Sequence, residues 1–135
     1  MDVKYLLDTN ICIYIFKQQP PEVIQRFRQL KVGEVGISAI TYAELYFGAL
    51  KHPQSVKYQE ILTLNIEPFE ILYPNKLAYE HYADIRLSLM RAGKPIGTND
   101  LWIAGHARSL GVTLVTNNLR EFERVPNLKL ENWVN

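Results

Sequence analysis

The chain has 135 residues, of which 47% are hydrophobic and 21% are charged, as expected for one globular domain and not for a disordered segment. Fifteen basic residues against fourteen acidic residues give a net charge of +1, which disfavours a strongly basic protein that coats nucleic acid. Any nucleic acid would therefore have to bind to a local rim of positive charge. The single cysteine excludes an internal disulfide and a cysteine-rich zinc site.

Targeting and membrane segments are not expected from the sequence. No apolar run approaches the roughly 18 residues that a membrane span needs, and no secretory signal precedes Asp8. No repeat, low-complexity tract or linker interrupts the chain. We therefore expect a soluble, cytoplasmic protein in which residues 1–135 form a single domain.

Short apolar strands alternate with helices along the chain. The first half predicts a strand (3–7), a helix that begins at Asp8-Thr9-Asn10, a helix (21–30), a strand (33–37), a helix that begins near Thr41, and a helix (56–64). The second half predicts a strand (69–72), a helix (75–90), a loop (94–97), a helix (100–110), a strand (112–115) and a short fifth strand (128–130). This alternation is typical of a parallel sheet covered on both faces. We predict a three-layer α/β/α domain with four to five short strands.

Three carboxylates lie near the predicted strand ends. Asp8 closes the first strand, Glu44 lies early in the helix after the second strand, and Asp100 opens the helix before the fourth strand. Open α/β sheets bind ligands at the carboxyl ends of their strands. Acids gathered there would raise one another's pKa values unless a cation lay between them, and oxygen ligands suit Mg²⁺ or Mn²⁺. The pattern predicts a divalent-metal site that could stabilise a scissile phosphate.

Each of these acids also has a purely structural interpretation. Asp8 could cap a helix, Thr41 and Glu44 fit a capping box, and Asp100 could complement a helix dipole. The pair Asn117-Asn118 is typical of a turn. Position alone leaves these alternatives open.

Four motifs, in a fixed order, carry a family resemblance. They are Leu6-Leu7-Asp8-Thr9-Asn10, Ser38-Ala39-Ile40-Thr41-Tyr42-Ala43-Glu44-Leu45, Ile96-Gly97-Thr98-Asn99-Asp100-Leu101-Trp102-Ile103-Ala104 and Leu114-Val115-Thr116-Asn117-Asn118. Together they resemble the PIN-domain ribonucleases, and most closely the VapC toxins of bacterial toxin–antitoxin pairs. The resemblance covers essentially the whole chain.

The resemblance implies a function and partners. It implies an endoribonuclease that depends on Mg²⁺, or on Mn²⁺, is inhibited by a VapB-type antitoxin and forms a homodimer. The stretch Asn10-Ile11-Cys12-Ile13-Tyr14 is similar to the enterobacterial group of VapC toxins. The target of that group is initiator tRNA, which is cut in the anticodon stem-loop.

The resemblance also assigns roles to individual residues. The catalytic and metal-binding acids would be Asp8, Glu44 and Asp100. Asn118 takes the position where many relatives have a fourth acid, and Glu121 is a candidate substitute. The supporting hydroxyl groups would belong to Thr9 and Thr116.

Basic side chains near the Asp100 loop are candidates for RNA contact. Arg91 and Lys94 lie closest to that loop in sequence, and we predict that they contact phosphate.

Two other functions stay open from the residues alone. Leu7-Asp8-Thr9 at the end of a first strand is also similar to the haloacid-dehalogenase phosphatases, which react through an aspartyl-phosphate. Those enzymes usually have a second Asp two residues on, where this chain has Asn10. A catalytically silent domain that binds a partner through its aromatic and apolar helices is the other alternative.

Overall fold

A computed structural model of the protein describes residues 2–135. Its centre is one all-parallel sheet of five short strands, named β1 to β5 in chain order: Tyr5–Leu7, Val35–Ser38, Glu70–Leu72, Thr113–Val115 and Leu130–Glu131. The strand order across the sheet is β3-β2-β1-β4-β5. The strand order reverses between β1 and β4, where sheets of this kind open a crevice at the carboxyl ends of the strands.

Seven helices connect and cover the strands. In chain order α1 to α7 are Thr9–Lys17, Pro21–Arg28, Ala39–Lys51, Ser55–Ile66, Lys76–Arg91, Thr98–Leu110 and Leu119–Phe122. Gly111, with a φ of 69°, ends α6 in the left-handed conformation that favours glycine.

The side chains of the strands divide between two cores. Leu7 and Val115 point into the core formed with α1, α2, α3 and α4, whereas Leu6 and Leu114 point into the core formed with α5, α6 and α7. All four of these side chains are fully buried. Successive strand residues face opposite sides of a sheet, so apolar neighbours along one strand need a helical layer on each side. This is the predicted three-layer α/β/α architecture.

The predicted elements agree with the structure except at some ends and at one short helix. The helix expected near Thr41 begins earlier, at Ala39, because the Ser38 hydroxyl accepts a hydrogen bond from the Ile40 amide (3.2 Å) and caps it. The short helix α7 was not predicted. Among residues 2–135, no helix is long and apolar enough to cross a membrane.

Candidate active site

Asp8 lies at the carboxyl end of β1 and begins α1. Its Oδ1 accepts a hydrogen bond from the Ile11 amide (3.0 Å), and its Oδ2 accepts one from the Thr116 hydroxyl (2.5 Å). The side chain is therefore a helix cap, as one of the sequence interpretations proposed, and it is also tied to the end of β4. Burial raises the pKa of Asp8, while these donors lower it.

Glu44 lies in α3 and faces the crevice beside Asp8. Burial raises the pKa of Glu44 and the charge of Asp8 raises it further, whereas contacts with Thr9 and Asn99 lower it. The capping-box interpretation of Glu44 is wrong, because Ser38 caps α3 and Thr41 lies inside the helix. A capping role therefore does not account for Glu44.

Asp100 lies in the first turn of α6, and its carboxyl group also has a raised pKa. Burial raises its pKa to about 7, together with a side-chain contact with Glu121 and the charges of Glu121, Glu44 and Asp8. A carboxyl group with this pKa is protonated in part at neutral pH unless a cation compensates the neighbouring charges. The four acids thus form one electrostatically coupled cluster at the carboxyl edge of the sheet.

The predicted supporting residues take different places around this cluster. Thr116 is fully buried, and its hydroxyl accepts a hydrogen bond from the Asn118 amide (2.9 Å) while it donates to Asp8. The structure brings Glu121, and not the Asn118 side chain, against Asp100. Thr9 Oγ1 lies beside Glu44 but is buried without a partner in hydrogen-bond geometry.

Asn99 is a site residue that the sequence reasoning missed. Its side chain lies beside Glu44 and lowers the pKa of that carboxyl group. Asn99 directly precedes Asp100 at the start of α6, so two successive residues of one helical turn face the same crevice. That adjacency was the signal that could have identified it.

The donor set fits a hard divalent cation. Every contributing atom is an oxygen, the carboxylates raise one another's pKa values, and Thr9 Oγ1 is a buried oxygen without a partner. Within residues 2–135, no three acidic, histidine or cysteine side chains are grouped closely enough to ligate an ion together. Mg²⁺ characteristically uses only one or two carboxylates and keeps several waters, so this spacing is compatible with it.

Of the two basic residues predicted to contact RNA, only one lines a groove. Lys94 lies in the loop between α5 and α6 and lines a groove of about 600 Å³ together with Arg120 and Arg124. Arg91 is exposed at the end of α5 and does not line that groove.

An apolar groove of about 460 Å³ opens beside the acidic cluster. It runs between α1, α3 and α4, with Thr9 and Glu44 among its lining residues. The remaining walls are mostly apolar: Ile13, Phe16, Lys17, Leu45, Gly48, Ala49, Tyr58, Ile61 and Leu62. The groove therefore has a mostly apolar wall and one acidic side chain, that of Glu44.

Comparison with known proteins identifies the family. The sequence profile of the PIN domain matches residues 5–128. The chain belongs to the PIN-domain family. This PIN domain is 46% identical to "Ribonuclease VapC2" of Haemophilus influenzae over 98% of the chain and 99% of that protein. It is 42% identical to "tRNA(fMet)-specific endonuclease VapC" of Shigella flexneri over 97% and 98% of the two chains.

Solved structures agree with this assignment. The PIN domain is similar to a chain in the "Crystal structure of DNA bound VapBC from Salmonella typhimurium", with a TM-score of 0.92 and 40% identity. The match covers 98% of this chain and 99% of that chain. Within the PIN-domain family, the chain therefore belongs with the VapC ribonucleases.

Proposed function

We propose that this protein is a metal-dependent endoribonuclease, the toxin of a toxin–antitoxin pair, and that initiator tRNA cut in its anticodon stem-loop is the substrate. The observation that carries the proposal is the coupled acidic cluster, in which the pKa of Asp100 is raised to about 7. Full-length similarity to relatives named as VapC ribonucleases and as a tRNA(fMet)-specific endonuclease supports both the reaction and the substrate. Because tRNA is a cytoplasmic molecule, we expect the protein to act in the cytoplasm.

The catalytic residues of this proposal are Asp8, Glu44 and Asp100, which together would hold Mg²⁺ or, in its place, Mn²⁺, with one or two of the carboxylates binding the ion directly and the rest through water. The metal would stabilise charge on the scissile phosphate and activate water. Thr116 holds the Asp8 carboxylate at the end of β4, and Asn99 lies beside the Glu44 carboxylate. An aspartyl-phosphate mechanism is less well supported, because Asn10 stands where such phosphatases have an acid.

We propose that a VapB-type antitoxin inhibits the enzyme through the apolar groove between α1, α3 and α4. An apolar segment of the antitoxin would fill the groove, and its polar end would reach Glu44. The solved structures of VapBC complexes support such a partner. Two copies of the chain are expected to pair, and Leu87 and Met90 on the outer side of α5 offer exposed apolar surface for this contact.

The test is cleavage of initiator tRNA by the purified protein in Mg²⁺ and in EDTA. We expect cleavage only with metal, and a loss of more than about 100-fold in Asp100→Asn, since the variant removes one of the charges that hold the cation. Glu80→Gln is the control, because Glu80 is an exposed acid of α5 outside the cluster. Equal cleavage in EDTA, or undiminished cleavage by Asp100→Asn, would contradict the metal-dependent mechanism.

Cleavage of an elongator tRNA tests the substrate specificity separately from the ribonuclease activity. We expect this tRNA to be cut much more slowly than initiator tRNA. Equal rates on both RNAs would reject initiator tRNA as the specific substrate and leave the ribonuclease activity in place.

A further inference from the structure

A basic groove lies in the helical layer formed by α5, α6 and α7, on the opposite face of the sheet from the layer that contains the apolar groove. Its walls are the end of α5, the loop that follows, and the segment around α7. Three cations line it, namely Lys94, Arg120 and Arg124, against a single carboxylate, Glu123. In a chain with a net charge of only +1, this is a local excess of positive charge.

Among residues 2–135, these cations form no salt bridge. The salt bridges within residues 2–135 involve Lys4, Arg26 and Arg108, and none involves a cation of the groove. Arg124 Nη1 donates a hydrogen bond to the carbonyl oxygen of Pro95 (3.0 Å), which anchors the guanidinium to the loop. A guanidinium has five N–H donors, so those of Arg124 that do not face Pro95 remain available for a ligand.

The chain connects the basic groove directly to the acidic cluster. Arg120 immediately precedes Glu121, whose carboxyl group meets Asp100. Lys94 lies in the loop that leads into α6 and Asp100. Residues on both walls of the groove are therefore close in sequence to Glu121 and Asp100, the acids of the proposed active site.

We propose that this groove binds the sugar–phosphate backbone of the RNA strand on one side of the cleaved bond. Guanidinium groups suit this ligand because their N–H groups bind phosphate oxygens in pairs. The inference rests on the proposed function, since it requires RNA as the substrate. It adds Arg120 and Arg124 to Lys94 as phosphate contacts and leaves Arg91 outside the groove.

The experiment measures binding of an RNA hairpin with the anticodon stem-loop of initiator tRNA. Binding in EDTA keeps the wild-type protein from cutting it, and a salt series from about 50 to 300 mM separates phosphate contacts from other contacts. Arg120→Gln and Arg124→Gln each should weaken binding about fivefold at 0.1 M salt and reduce the salt slope by about 0.7 to 0.9. The same variants should raise KM for cleavage in Mg²⁺.

Arg28→Gln is the matched control. Arg28 is an exposed arginine at the end of α2, on a cavity shared with Val35 at the opposite, amino end of the strands. Its removal should change neither the salt slope nor KM, and unchanged denaturation midpoints would show that all variants are folded.

Three results would overturn the inference. Unchanged salt slopes in both arginine variants, with a wild type that binds and cleaves RNA, would reject the groove and leave the proposed function standing. Unchanged RNA binding with weakened binding of the antitoxin would assign the groove to the protein partner. A wild type that neither binds nor cleaves RNA in Mg²⁺ would reject the proposed function and the groove together.

Discussion

Asp8 performs two tasks with the two oxygens of one carboxylate. Oδ1 caps α1 through the Ile11 amide, and Oδ2 receives the Thr116 hydroxyl from the end of β4. The capping and site interpretations are therefore compatible. An Asp8 variant would disturb both tasks at once, so Thr116 is the residue at which the second can be tested separately.

Thr116→Val removes the hydroxyl and keeps the shape of the side chain. We expect a loss of about 1–2 kcal/mol in the free energy of unfolding, because Asp8 and the Asn118 amide each lose a buried hydrogen-bond partner. We also expect the Mg²⁺ concentration for half-maximal cleavage to rise about 10-fold, as for other partners that orient a metal ligand. Urea denaturation and a Mg²⁺ titration of the cleavage rate measure the two effects.

Thr116→Ser is the control for this prediction, since it keeps the hydroxyl. Its Mg²⁺ requirement should stay near that of wild type. If the serine and valine variants need the same amount of Mg²⁺, the hydroxyl does not position Asp8 for metal binding.

At the scale of elements, the position of Asp100 depends on how closely α6 approaches α5. A Cβ atom built on Gly105 would lie 2.8 Å from the Tyr82 backbone nitrogen and 2.9 Å from its Cα. Tyr82 also stacks on Trp102 of α6, with ring centroids 3.8 Å apart and planes 9° apart. Glycine is therefore required at position 105 for the close approach of two helices, despite its low helix propensity.

Gly105→Ala should push α6 away from α5. We expect a loss of about 1–3 kcal/mol in the free energy of unfolding, because the new methyl group meets backbone atoms that cannot move aside locally. Gly48→Ala in α3 is the matched control, since a Cβ there meets nothing within 4 Å. It should stabilise the protein by about 0.5–1 kcal/mol through helix propensity. Urea denaturation measures the free energy of unfolding of both variants. Similar effects of the two substitutions would contradict the close packing of α5 and α6.

The elements that could be predicted from sequence are those with enough length for a periodic pattern. Helix α5, with 16 residues, was predicted within one residue at each end. Helix α7 has four residues, too few for a helical period, and was missed. The contact of Glu121 with Asp100 depends on α7, so spacing could propose Glu121 only as a substitute for Asn118.

Local chemistry alone also failed at the start of α3. Ser38 and Thr41 are both favourable capping residues, and only the backbone conformation selects Ser38. The acids themselves were predictable, because strand ends and helix starts determine where they lie. Asn99 was missed although it directly precedes Asp100, because its proximity to Glu44 depends on how α6 packs near α3.

For the whole molecule, the buried His106 and the half-buried Asp100 make stability depend on pH in opposite directions. Burial lowers the pKa of His106 to about 4, and its Nδ1 lies 2.8 Å from Ser38 Oγ. Because Ser38 Oγ accepts from the Ile40 amide, its hydroxyl hydrogen is free to donate to the neutral imidazole. Asp100 is the opposite case, with a pKa raised to about 7 by burial and neighbouring acids.

We expect Asp100→Asn to stabilise the metal-free protein increasingly as pH rises. Between the ordinary pKa of an aspartate and about 7, folded wild type holds a proton that the unfolded chain has lost, so its stability falls with rising pH. The gain of the variant over wild type should grow from near zero at about pH 4 to about 1–2 kcal/mol at about pH 8, after allowance for solvent screening. Denaturation curves in EDTA measure it, and a gain that does not change with pH would contradict the crowding of the acids.

His106→Asn should show the reverse dependence. Between pH 6.5 and about 4, the unfolded chain binds a proton that folded wild type excludes, so the stability of wild type falls as pH falls. The advantage of wild type over this variant should therefore shrink by about 2–3 kcal/mol across that interval. The same denaturation curves test it, and a constant advantage would show that His106 titrates normally in the folded protein.

The central position of β1 also determines when this protein becomes active during synthesis. The first strand to be translated pairs with β2 and with β4, and Asp8 receives its hydrogen bond from a threonine 108 residues later. Contacts that join such distant segments form late, after the intervening chain is available to fold. While β4 and α7 are still inside the ribosome, Asp8 lacks Thr116 and Asp100 lacks Glu121. A nascent chain built in this way has no complete acidic cluster, and so we expect it to cleave RNA only once its own synthesis is nearly finished.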